Sequence, residues 1–131
     1  MKVANTSGKR KRAIAAATIK KGSGRVTINN TLLENYSPKM ARMRIMEPLL
    51  LSGMKDKIDV SVKIKGGGVL GQADAARLAI ARAIVDFSED ENVEKAFLEY
   101  DRQLLVADVR RKETRKPNDS KARAKRQKSY R

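Results

Sequence analysis

From Ile58 to Lys65 apolar and polar residues alternate without a break: Ile58, Val60, Val62 and Ile64 point one way, Asp59, Ser61, Lys63 and Lys65 the other. Period two over such a stretch predicts a half-buried strand. Gly66-Gly67-Gly68 ends it, and an alanine-rich segment follows to about Phe87. Leu70, Ala73, Ala76, Ile80, Ile84 and Phe87 recur there at helical spacing, and Asp74 falls in the expected first turn, where the helix dipole favours an anion. A strand with one apolar face needs cover, and the helix beyond the glycine turn is the nearest surface that supplies it. The chain is therefore constrained to a sheet with a helix packed across it.

Other segments fit around that unit. Ala13 to Ile19 reads as a strand, although Ala15-Ala16-Ala17 also suits a helix. It runs through Lys20-Lys21-Gly22-Ser23-Gly24 into Val26-Thr27-Ile28, and two such runs joined by a glycine-containing turn predict a β-hairpin. Ser37-Pro38 is a helix-start signal, with Met40, Met43, Met46 and Leu50 at helical spacing behind it and assigned to the core. Pro48 is expected to kink or divide this helix, and Gly53 to close it. Ser88-Glu89-Asp90-Glu91 has capping-box spacing before Val93, Ala96, Phe97 and Tyr100, whose aromatic rings are assigned to the core with that of Phe87. Leu104-Leu105-Val106 either extends this last helix or forms a final strand.

Charge is distributed unevenly. Residues 1–25 carry +8, residues 26–109 carry −2 and residues 110–131 carry +9, for a net +15 over 131 residues. The last 22 residues contain almost nothing apolar, which predicts a globular domain over 1–109 and an extended basic tail over 110–131, disordered when alone. Cationic arms on a near-neutral body point to a polyanionic partner. Cysteine and histidine are both absent, removing the readiest nucleophile, the commonest general base and the commonest metal ligands. No active site, metal or cofactor is expected. The apolar run around Leu49–Leu51 falls far short of the ~20 residues of a membrane helix, and Met1–Ser7 is followed by charge where a signal peptide needs an apolar stretch, so the protein is expected to stay where it is made.

Glycines 66, 68 and 71 satisfy G-x-G-x-x-G between a strand and a helix, the setting of a dinucleotide fingerprint. That fold also needs a parallel strand soon after the helix, ending in a ribose-binding acid, whereas Asp86, Glu89, Asp90 and Glu91 lie in a connection between helices. What remains is a turn where a backbone can approach a phosphate, with free helix N–H groups behind it. Gly66, Gly67, Gly68 and Gln72, with Lys63 and Lys65 on the outward face just before, are candidate contacts to a nucleic-acid backbone. The plain alternative is a tight turn without a ligand. Lys9, Arg10, Lys11 and Arg12 are four adjacent cations that repel one another and suit phosphates, the plain alternative being a solvated charge run kept for solubility. In the tail, Arg110, Arg111, Lys112, Arg115, Lys116, Lys121, Arg123, Lys125 and Arg126 are spread among small polar residues, which suits a strand threading between phosphates. Extended, the tail reaches up to ~70 Å. Tyr130 has no core to enter and suits stacking on a base or sugar.

Gly8-Lys9-Arg10-Lys11-Arg12-Ala13, Gly66-Gly67-Gly68-Val69-Leu70-Gly71-Gln72-Ala73 with Arg77 and Ile80-Ala81-Arg82-Ala83, Asp108-Val109-Arg110-Arg111-Lys112-Glu113 and Gln127-Lys128-Ser129-Tyr130-Arg131 closely resemble, in order and over nearly the whole chain, the S-nine proteins of the small ribosomal subunit. Leu98-Glu99-Tyr100-Asp101-Arg102 and the Ser-Tyr-Arg ending resemble the archaeal and eukaryotic branch, and the short amino terminus an archaeal member. The resemblance implies an α+β, two-layer sandwich of the kind seen in the second domain of ribosomal protein S-five, with a small mixed sheet, helices on one face and a left-handed βαβ crossover. It implies a structural role in the subunit head in the cytoplasm, contact with small-subunit ribosomal RNA and neighbouring head proteins, and no membrane. It also implies that Lys128, Ser129, Tyr130 and Arg131 approach peptidyl-site transfer RNA. One departure is Arg115-Lys116-Pro117-Asn118-Asp119-Ser120, where related proteins usually carry glycine after a lysine pair. Two other classes fit parts of the pattern. A non-ribosomal architectural nucleic-acid-binding protein would share the charge distribution, and a small-molecule kinase would use the same fold with ATP on the glycine turn, though no carboxylate is poised for magnesium.

Overall fold

A computed structural model of the chain describes residues 2–111, 113–115, 117 and 122–123. Strands β1 (Val3–Arg10), β2 (Ala13–Lys21), β3 (Val26–Ile28), β4 (Thr31–Leu32) and β5 (Ile58–Lys65) form one sheet in the order β1-β2-β5-β3-β4. The sheet is mixed, β3 running parallel to β5 and the other neighbours antiparallel. Helices α1 (Lys39–Ser52), α2 (Val69–Ser88) and α3 (Glu91–Tyr100) complete the domain, with 3-10 turns at Leu33–Asn35 and Arg102–Leu104. This is the expected α+β architecture of a small mixed sheet with helices.

The alternation at Ile58–Lys65 is a strand with Ile58, Val60, Val62 and Ile64 buried, and α2 follows the glycine turn as expected. On β2 the inward residues are Ala13, Ala15, Ala17 and Ile19, all buried. Against these small side chains α2 sets Ala75, Ala76 and Ala79, also buried, so helix and sheet approach closely. At Gly8 of β1 the approach leaves no room for a side chain, since a Cβ would lie 2.6 Å from the Ala75 carbonyl oxygen. Beside it the Thr6 hydroxyl donates to the Ala79 carbonyl oxygen at 2.6 Å.

The hairpin expected between Ala13–Ile19 and Val26–Ile28 does not form. β2 pairs with β1 through a two-residue turn at Lys11-Arg12, and β5 inserts between β2 and β3. The cause is visible at Asp59 of β5, whose carboxylate accepts the backbone N–H groups of Ser23 (3.0 Å), Gly24 (3.2 Å) and Arg25 (3.0 Å). The glycine segment thus arches over the end of β5 instead of turning back tightly. These hydrogen bonds, the Arg25 N–H first, hold the Asp59 carboxyl below its ordinary range.

α1 also departs from expectation. It is continuous across Pro48, and Gly53 closes it at φ 69°. Its buried face is Ala41, Ile45, Pro48 and Leu49, whereas Met40, Met43 and Leu50 are 67%, 60% and 62% exposed. Of the expected methionine stripe only Met46 packs against the core, partly buried, and Met40, Met43 and Leu50 do not. Two stripes of helical period share this helix, and the one with small Ala41 at the contact packs inward. Asp90, rather than Ser88, caps α3 by accepting the Asn92 N–H at 2.9 Å. Phe97 is fully buried and Phe87 partly so, but Tyr100 is exposed, a second correction to the expected core. Leu104 is buried within a 3-10 turn, so its segment neither extends α3 nor forms a strand.

Candidate nucleic-acid interface

The basic cluster at residues 9–12 straddles the tip of the β1–β2 hairpin, with Lys11 at φ 55°. Strand alternation sends its members different ways. Lys9 is exposed on the open face of the sheet, where its partner Ile14 lies next to Lys65 of β5, and Lys63 stands two residues further along. Lys11 and Arg12 are exposed at the tip. Arg10 turns toward the helices, its side chain only 19% exposed, with Asp74 at 3.9 Å and Asp108 at 3.5 Å. Its Nη1 has no partner among the described residues.

The glycine turn abuts this tip. Gly66 and Gly67 have φ of 77° and 71°, a region that disfavours side chains. A Cβ at Gly66 would come 2.5 Å from the Arg12 carbonyl oxygen, and one at Gly67 would come 2.9 Å from Ala13 Cβ. Both glycines are thus required by packing inside the protein. Gly68 differs: its φ is −96° and a Cβ there would meet nothing within 4 Å. No side chain caps α2 at Gly68, which leaves the first-turn N–H groups without a side-chain acceptor. Gln72 donates its side-chain amide to the Gly66 carbonyl oxygen at 3.1 Å and so braces the turn. Asp74, expected in the first turn, lies beyond it and pairs with Arg44 at 2.6 Å. After α2 the chain enters α3, so no parallel strand stands where a dinucleotide fold needs its ribose-binding acid.

The root of the tail closes onto the same region. Arg110 wraps the Asp108 carboxylate, Nε at 3.0 Å and Nη2 at 2.7 Å, and donates its backbone N–H as well. The Arg110 guanidinium, then its N–H, with Arg10 adding attraction, hold the Asp108 carboxyl well below the usual carboxylate range. Arg111 Nη1 donates to the Lys11 carbonyl oxygen at 3.0 Å. Between hairpin tip and tail root lies an open cleft of about 610 Å³ lined by Lys11, Arg12, Arg111, Glu113, Thr114 and Arg115. Arg123 pairs with Glu113 at 2.6 Å. Lys112, Lys116, Lys121, Lys125 and Arg126 lie outside the described residues, as do Lys128, Ser129, Tyr130 and Arg131.

Arg77 and Arg82 stand in the stretch that carries the family resemblance, but nothing in the sequence gives the partners through which they position this site. Buried Arg77 bridges Glu47 (2.6 Å) and Asp101 (3.1 Å), tying α2 to α1 and to the end of α3. Arg82 donates to the carbonyl oxygens of Leu105 and Ser7, both at 3.1 Å, pinning the segment after α3 against β1. Among the described residues no group of His, Cys, Asp and Glu is arranged to hold a metal, and no helix is long and apolar enough to cross a membrane.

The family model described as Ribosomal protein S9/S16 matches residues 8–131. The chain belongs to this family. Its members are structural ribosomal proteins and not enzymes. The chain is similar to the small ribosomal subunit protein uS9 of Methanothrix thermoacetophila, 52% identical over 132 residues and covering 100% of both chains. It is also similar to the protein of the same description from Thermoplasma volcanium, 56% identical over 127 residues and 96% of each chain. Both relatives are archaeal, in line with the branch expected from the Leu98–Arg102 segment.

Proposed function

We propose that the chain is a structural component of the small ribosomal subunit head, and that it holds small-subunit ribosomal RNA against the hairpin tip, the glycine turn and the tail root. Residues 1–109 serve as the body and 110–131 as the arm. Lys9, Lys11, Arg12, Lys63, Lys65, Arg111 and Arg115 neutralise backbone phosphates, and the first turn of α2 behind Gly68 supplies N–H donors to one of them. Arg10 and Arg110, engaged with Asp108, set the direction in which the arm leaves the body. Lys112, Lys116, Lys121, Arg123, Lys125 and Arg126 continue the phosphate contacts, and Lys128, Ser129, Tyr130 and Arg131 approach transfer RNA in the peptidyl site. Neighbouring head proteins complete the surroundings.

The observation that carries this reading is the Arg111–Lys11 hydrogen bond, which brings basic segments from opposite ends of the sequence onto one cleft beside the glycine turn. A free architectural binder would bind duplex DNA equally well; a subunit component prefers its ribosomal RNA and sediments once per particle. Filter binding to ribosomal RNA tests the electrostatic part, and affinity should fall more than about tenfold between ~50 and ~200 mM salt as counterions are released. A smaller fall would rule out phosphate neutralisation as the main source of affinity.

A further inference from the structure

The methionine stripe of α1 borders a second surface, at the sheet edge opposite the hairpin. Beside β3 and β4 a groove of about 240 Å³ has apolar walls from Val26, Leu33 and Met46. Met43 and Leu50 stand three residues before and four after Met46 along α1, so they continue the apolar surface out of the groove. Exposed at 60% and 62%, they are uncovered by any described residue. Around the groove stand Arg25, Arg42 and Lys55, with Glu34 in its lining and Asp56 beside Gly24. Arg42 donates to the backbone carbonyl oxygen of Glu34 at 2.7 Å and not to its carboxylate, so its charge is not neutralised there.

We propose that this groove and the adjoining stripe dock an apolar, acid-flanked segment of a neighbouring protein, an inference that rests on the ribosomal reading. The volume is below the ~300 Å³ at which cofactor pockets begin and suits one or two apolar side chains. Flexible methionines accept such anchors without strict shape demands, and cations at the rim select acidic flanks. RNA has no aliphatic side chain to fill the groove, and it would leave Met43 and Leu50 against phosphates. The surface lies at the β4 edge, whereas the nucleic-acid cleft lies beside the β1–β2 turn, so the two partners do not compete.

The test uses assembled small subunits carrying the full chain with a diazirine side chain in place of Met43, irradiated and mapped by mass spectrometry. The expected adduct is with a protein segment whose apolar residues are flanked by Asp or Glu. Lys55→Glu in the same chain should lower its yield about tenfold by setting like charges against each other. An adduct with RNA alone, an adduct with a protein segment lacking acids, or no adduct would overturn the proposal while leaving the ribosomal reading intact. Absence of the chain from the particles would overturn both. Leu50→Glu is the second variant: docking requires that it abolish the adduct while ribosomal-RNA affinity of the isolated chain stays unchanged, and an unchanged adduct would count against the groove.

Discussion

Arg111 donates a guanidinium hydrogen bond to the backbone carbonyl oxygen of Lys11, 100 residues earlier in the chain and 3.0 Å away. The contact depends on where the chain leaves the body, which the Asp108 carboxylate fixes by holding Arg110 and drawing Arg10 toward it. Charge counting and geometry then make opposite predictions for one variant. Asp108→Asn removes a negative charge, so electrostatics alone would tighten binding to ribosomal RNA. If the carboxylate orients the tail root, specific affinity falls while affinity for unrelated RNA rises. Competition binding with the two RNAs in parallel reads the sign.

Two variants of the glycine turn test a folding requirement apart from the proposed RNA contact. Gly67→Val places a branched side chain at φ 71° and against Ala13, and should destabilise the domain by about 1–3 kcal/mol through backbone strain and overpacking. Gly68→Val meets open space at φ −96° and should cost only the loss of a favoured helix-capping residue, about 0.5–1 kcal/mol, less than Gly67→Val. Should phosphate approach there, Gly68→Val still weakens ribosomal-RNA binding and incorporation into subunits. Equal RNA affinity in a stable Gly68→Val protein would make the turn purely architectural.

Acid should loosen the arch between β2 and β3. Asp59 holds its proton less tightly in the folded chain than at its ordinary value of 3.8, because three backbone N–H groups point at the ionised form. The unfolded chain therefore binds the proton first, and the carboxylate's contribution is fully present above the ordinary value. It is lost as pH falls from about 3.8 through the lower folded value. Urea melts across this window should show stability declining with acid, and Asp59→Asn should make that decline shallower, the remainder coming from Asp108, while lowering stability at neutral pH.

Removing residues 128–131 tests the arm independently of the body. The shortened chain should assemble into subunits at parental levels and keep its melting temperature. Transfer RNA bound to the peptidyl site of those subunits should dissociate faster. Unchanged dissociation would remove the end of the chain from that role.

Much of the fold was legible where periodicity is local and the faces differ strongly, as in Ile58–Lys65, the helix after the glycines and the stop at Gly53. β1 was not, because its inward positions are Ala4, Thr6, Gly8 and Arg10, chosen by the closeness of α2 and not by hydrophobicity. The hairpin expectation failed because Asp59 lies more than thirty residues from the loop it organises. On α1 the apolar sets 40/43/46/50 and 41/45/48/49 both fit a helix, and only contact with α2 decides which is buried. For the candidate site the cations themselves were legible. Their convergence was not, since it depends on Asp108, Arg82 and the touching of Gly66 on the Arg12 backbone.

The Arg111–Lys11 contact also imposes an order of events during synthesis. The hairpin leaves the translating machinery early, but the residue that closes its cleft is among the last fifth of the chain to be added. A nascent polypeptide therefore displays four adjacent cations before the segment that closes the cleft beside them has been made.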